Sequence, residues 1–126
     1  MNPNIALSLS SILLVAAGGA VGCVGRFLAI KQVVRLNPTV FPLGTMLVNI
    51  IGSLLIGYML ARHGAQHSTR IFFVTGILGG FTTFSAFSWD ALQLLNRGQF
   101  WLAAVYIFGS VSLSIAAAFG GFTLGR

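Results

Sequence analysis

The residues in this chain that could do chemistry are few, polar and uncharged. Tyr106, Ser110 and Ser114 recur at i, i+4 and i+8. On a helix that spacing puts three hydroxyls on one face, a row of donors for an anion that sheds water. The same serines could instead bond back to carbonyls of their own helix. Asn49 stands alone in an apolar run from Gly44 to Gly52. Its amide can donate toward an anion or join two helices by a hydrogen bond. Phe81, Phe84 and Phe87 recur every third residue. Their rings could simply pack, or turn their positive edges toward a small anion without trapping it as a full charge would.

Catalysis has no foothold. One acid (Asp90), two histidines and one cysteine (Cys23) cannot supply a nucleophile, a base and a group to orient it. His63 and His67 are i, i+4 but have no third ligand nearby in the sequence, so they do not read as a metal site. Asp90 reads as a partner for an arginine or a solvated end charge.

The elements that position these residues follow from composition. The chain has 126 residues, of which 56% are hydrophobic and only 6% charged, with a mean hydropathy of +0.94. A soluble domain carries about a quarter charged residues, so the chain reads as an integral membrane protein. The net charge of +6 does not point to nucleic acid, because the basic residues are scattered singly. They read as the water-facing ends of apolar spans. One transmembrane domain covers 1–126, with spans near 5–25, 43–61, 71–95 and 98–124, each long enough for a bilayer core about 30 Å thick. With no period-2 alternation, the spans are helices. The N-terminal flank has no Lys or Arg, so the first span reads as a span and not a cleaved signal.

Two features shape the expected assembly. Gly79-Gly80, followed by Thr82-Thr83, makes a poor uninterrupted helix, so the third span is expected to break in mid-membrane, although a continuous glycine-rich helix stays open. Freed carbonyls there would suit a hard cation and half-helix N-termini an anion. Lys and Arg divide almost evenly between the two ends of the spans: Arg62, Arg70 and Arg126 against Arg26, Lys31, Arg35 and Arg97. That balance gives insertion little bias, so an antiparallel homodimer is expected. The small-residue pairs Gly18/Gly22, Ser53/Gly57, Gly76/Gly80 and Gly121/Gly125 suit close helix contacts.

Three stretches together carry a resemblance: Gly18-Gly19-Ala20-Val21-Gly22 with Arg26-Phe27; Pro42-Leu43-Gly44-Thr45 leading to Val48-Asn49 and Gly52; and Gly79-Gly80-Phe81-Thr82-Thr83-Phe84-Ser85-Ala86-Phe87-Ser88. In order and over nearly the whole chain, this resembles the Fluc (CrcB) family of fluoride channels. The resemblance implies a passive fluoride channel in a bacterial inner membrane that relieves fluoride toxicity. It implies a dual-topology antiparallel homodimer of four-helix subunits with two pores. The pore asparagine falls on Asn49, the path-lining rings on Phe84 and Phe87 but not Phe81, and the hydroxyl track on Tyr106, Ser110 and Ser114. Thr83 and Ser85 lie beside the rings, and the span-1 arginine falls on Arg26. It also implies a structural sodium ion on the dimer axis, held by the backbone carbonyls of Gly79 and Thr82. Ala86, where many members have threonine, and Asp90, where glutamate is common, depart from the pattern. Fluoride itself does not follow from the residues. The alternative is a small dual-topology, proton-coupled multidrug exporter, which would want a carboxylate inside a span.

Overall fold

The computed structural model describes residues 8–62 and 67–126; His63 lies outside the described residues. Helix α1 spans Leu9–Leu36 and α2 spans Leu43–Arg62. Residues 67–81 form α3, which opens with the turn His67–Arg70, winds through the wide π-helical stretch Ile71–Leu78 and closes with Gly79–Phe81. Helix α4 is Phe84–Asn96 and α5 is Phe100–Gly125. Among the described residues the fold is all-helical, and four stretches are long and apolar enough to cross a membrane: Leu9–Leu36, Leu43–Arg62, His67–Asn96 and Phe100–Gly125.

Local chemistry sets the ends. Ser8 caps α1, its hydroxyl oxygen accepting from the Ser11 amide at 3.2 Å. The helix then runs past residue 25, through Arg26, Lys31 and Arg35, because no glycine or proline stands between Arg26 and Asn37-Pro38. Charges mark where an apolar run ends but do not themselves stop a helix; Lys31 stays on the helix with its ammonium 5.2 Å from the Phe27 ring centre. Pro42 stands just before α2 and accepts from the Met46 amide at 3.2 Å. Between α4 and α5, Gly98 takes a left-handed φ of 70°, which a side chain would strain.

The helices pack in two parallel pairs. Gly18 and Gly22 on α1 meet Gly76 and Ile77 on α3, and Gly80 meets Gly19. Leu54 and Tyr58 on α2 meet Gly121 and Gly125 on α5, while Met46 reaches Gly109 near the other end. Both registers rise together, as four successive crossings require of odd and even spans. Except for the Met46 side chain at Gly109, these contacts are backbone on backbone: a Cβ on Gly80 would lie 2.7 Å from the Gly19 carbonyl, and one on Gly125 2.6 Å from that of Tyr58. Lipid offers apolar side chains as good a home as a neighbouring helix, so van der Waals contact of this closeness holds the pairs. A buried cluster of Phe87, Ala91 and Leu94 from α4 with Ala103 and Tyr106 from α5 folds α4 onto α5.

Candidate functional site

The site begins where α3 gives way to α4. Thr82 (φ −85°, ψ 156°) and Thr83 (φ −153°, ψ 122°) are extended. Two glycines of low helix propensity precede them, and their own β-branches favour extended backbone. The last helical bonds of α3 come from Thr82, whose amide and hydroxyl both donate to the Leu78 carbonyl, at 3.0 and 2.9 Å.

Interrupting a helix in an apolar setting strands backbone groups, and each one left unpaired costs about 1–3 kcal/mol. Here side chains from other helices take them up. In a continuous helix the Thr83 amide would donate to the Gly79 carbonyl; instead it donates to Asn49 Oδ1 at 2.8 Å. Asn49 Nδ2 donates in turn to the Thr83 carbonyl at 2.9 Å. Asn49 thus clasps both polar groups of one residue. Arg26 Nη1 donates to the Thr82 carbonyl at 3.1 Å. Thr83 Oγ1 accepts from the Ala86 amide at 3.1 Å, starting α4, and lies 3.2 Å from Ser85 Oγ. Gly52 makes the approach possible, since a Cβ there would collide with Thr82 Cγ2.

Beside this clasp lies a cleft of about 530 Å³, walled by Asn49, Thr83, Phe84, Phe87, Ser110 and Ser114 among others, with no ionisable side chain among the described residues that line it. Gly79 and Thr82 border it as well. Phe84 is 77% exposed, whereas Phe87 is buried, and their ring centres are 5.4 Å apart at 42°. Phe87 continues onto Tyr106 at 5.3 Å, and Tyr106 onto the edge of Phe41 at 5.6 Å and 89°. The aromatic row therefore runs from the open cleft into the core.

The hydroxyl row divides. Ser110 is 4% exposed, and its Oγ has no partner among the described residues. It and Ser114 wall the cleft. Tyr106 is completely buried behind Phe87, and its hydroxyl donates to Asp90 Oδ2 at 3.3 Å. The phenylalanine stripe divides too. Phe84 and Phe87 face the cleft, while Phe81 lies by Gly25 of α1, 3.7 Å from where a Cβ would stand; the extended residues 82 and 83 break the helical register that would align the three. Ser85 and Arg26 adjoin the site through Thr83 and Thr82 and are not part of the cleft wall. Gly52 and Ser53 do wall it. Spacing could have found them, since they follow Asn49 at i+3 and i+4 on one helix face.

Chemically, the cleft offers hydrogen-bond donors and aromatic rings, without a cation among the described residues of its lining. That set can replace the water around a small anion without holding it as an ion pair. For a metal, the described residues hold no group of three or more His, Cys, Asp or Glu. What the interruption supplies is neutral carbonyl oxygen: that of Gly79, whose usual helical donor is diverted to Asn49, and that of Thr82, with one lone pair engaged by Arg26.

Comparison with known proteins bears on this geometry. Residues 13–122 match the family described as CrcB-like protein, Camphor Resistance (CrcB). A protein of Agrobacterium fabrum named fluoride-specific ion channel FluC is 51% identical over 120 residues, covering 92% of this chain and 96% of that one. Proteins of the same name from Rhizobium meliloti and Cereibacter sphaeroides are 46% and 49% identical, the alignments covering 94% and 90% of this chain and 98% and 92% of theirs.

Proposed function

The chain belongs to the CrcB family, and from that premise we propose that it is a fluoride-specific channel which lets the ion leave a cell passively and so relieves fluoride toxicity. It is a multi-pass membrane protein and not an enzyme. Its relatives under the same name are bacterial proteins, and the membrane is taken to be the bacterial inner membrane. One observation carries the reading: the cleft joins Asn49, the paired rings Phe84 and Phe87, and the hydroxyls of Ser110 and Ser114, with Ser110 Oγ buried and without a partner among the described residues. A buried donor left unpaired is costly, and an anion passing at that depth would take its hydrogen bond. The role of each wall is then distinct. Ring edges and hydroxyls replace water, and the absence of a cation in the lining keeps the ion from stalling. Asn49 fixes the wall in place by clasping Thr83 and keeps one amide N–H beyond that clasp.

The channel is formed, in this reading, by two copies in opposite orientations, the interruption after Phe81 being a break at membrane depth. Phe84, exposed on a lone subunit beside an open cleft, supports a partner that completes the path. The charge balance supports two orientations: with Arg26 engaged at the Thr82 carbonyl, Arg62, Arg70 and Arg126 stand against Lys31, Arg35 and Arg97. The carbonyls of Gly79 and Thr82 suit a monovalent hard cation in chemistry, and two copies would double the number of oxygens. A sodium ion held there would tie the two interruptions together; it takes no part in conduction.

The test is fluoride efflux from liposomes containing only this chain. Channel-like release with chloride retained is expected. Vesicles that hold fluoride as tightly as empty ones would refute the reading, and substrate-dependent proton movement would turn it toward an exporter.

A further inference from the structure

The cleft wall carries a further hydroxyl on α2. Ser53 lies on α2 one turn beyond Asn49, half-buried, in the lining shared with Ser110 and Ser114. Its depth can be read from the parallel packing of α2 and α5. Met46 is level with Gly109, Leu54 with Gly121 and Tyr58 with Gly125. Ser110 is therefore level with the first turn of α2, and Asn49 with the neighbourhood of Ser114. Ser53 lies about 6 Å further along, at 1.5 Å rise per residue. Past it the lining turns apolar at Ile56.

The two helices thus present donors in sequence along one cleft: Ser110, then Asn49 with Ser114, then Ser53. Two hydroxyls outside the cleft, Ser88 on α4 and Thr123 on α5, are spent locally. Ser88 donates to the Phe84 carbonyl at 3.0 Å and Thr123 to that of Gly120 at 2.8 Å; neither borders the cleft. A serine at a cleft position, at i+4 from the clasping asparagine and one turn before the apolar Ile56, is placed to take the ion from the Asn49 level. We propose that Ser53 is a fluoride-binding residue that extends the donor track one turn beyond Asn49 toward the Arg62 end of α2.

The inference rests on the channel reading above. Four proteins are compared in one set of liposomes: the unmutated chain, Ser53→Ala, Ser53→Cys, and Ser112→Ala, which removes a hydroxyl from α5 outside the cleft lining. Initial fluoride efflux and the fluoride concentration giving half-maximal rate are measured, with assembly checked by size-exclusion chromatography. Ser53→Ala is expected to assemble normally and lose about tenfold in efflux, the equivalent of one hydrogen bond, with the half-maximal concentration raised; Ser112→Ala is expected to match the unmutated chain. Ser53→Cys, close in size with a weaker donor, should fall between. If the unmutated chain passes no fluoride, the channel reading itself fails. If it conducts and Ser53→Ala equals it in both rate and half-maximal concentration, Ser53 is not on the path. Loss of assembly in both Ser53→Ala and Ser53→Cys would make Ser53 a packing residue and overturn the proposal.

Discussion

Asn49→Asp separates the two tasks assigned to Asn49 more sharply than any other single change. The side chains are nearly the same size, so packing is preserved. The Thr83 amide, now 2.8 Å from Oδ1, keeps an acceptor. The Thr83 carbonyl, which receives Nδ2–H at 2.9 Å, instead faces a second oxygen. Losing that donor from a partly buried pair costs about 1–3 kcal/mol of local stability. The added charge matters more for conduction. At about 4 Å from a passing anion and an effective dielectric near 20, its repulsion is ~4 kcal/mol, about a thousandfold in occupancy. Asn49→Ala shares the lost clasp without the charge. In liposome efflux, Asn49→Asp should therefore assemble about as well as Asn49→Ala yet pass at most about a hundredth of the fluoride of the unmutated chain. Asn49→Asp conducting within about threefold of the unmutated chain would refute the placement of Asn49 on the path.

Other consequences are equally open to measurement. Phe84→Ile keeps bulk but removes the ring edge; because Phe84 is mostly exposed on the subunit, folding should be spared while fluoride efflux falls by about tenfold, the scale of one aromatic contact, and unchanged efflux would reduce the ring to packing. Gly121→Ala drives a Cβ into the Leu54 carbonyl and should cost about 1–3 kcal/mol, seen as a lower unfolding temperature in detergent, whereas Gly120→Ala, with nothing within 4 Å of its Cβ, should be neutral. Adding two or three lysines to the connection at 37–42 should fix one orientation and abolish most activity until an oppositely biased variant is co-expressed; full activity of the biased chain alone would count against two orientations.

Much of this protein was determined by composition and pattern. A charge fraction of 6% leaves no way to cover a soluble surface, and lipid leaves unpaired backbone no partner, so four apolar helices followed directly. Within the third span, Gly79-Gly80 and Thr82-Thr83 marked where helical propensity is lowest, because propensity is a property of the residues themselves. The order of the glycine motifs and the run from Gly79 to Ser88 carried the family. Other features depended on where the helices came to rest. No spacing pairs Asn49 with Thr83, since that contact joins residues far apart in sequence on α2 and at the α3–α4 junction. Hydroxyl periodicity grouped Tyr106 with Ser110 and Ser114, but packing against Phe87 and Asp90 drew Tyr106 behind the cleft. The regular phenylalanine stripe lost Phe81 for a related reason: a helical period predicts a shared face only while the helix is continuous. Local preference chose the elements; which polar group met which stranded backbone atom was decided by the register of helices that touch through their glycines.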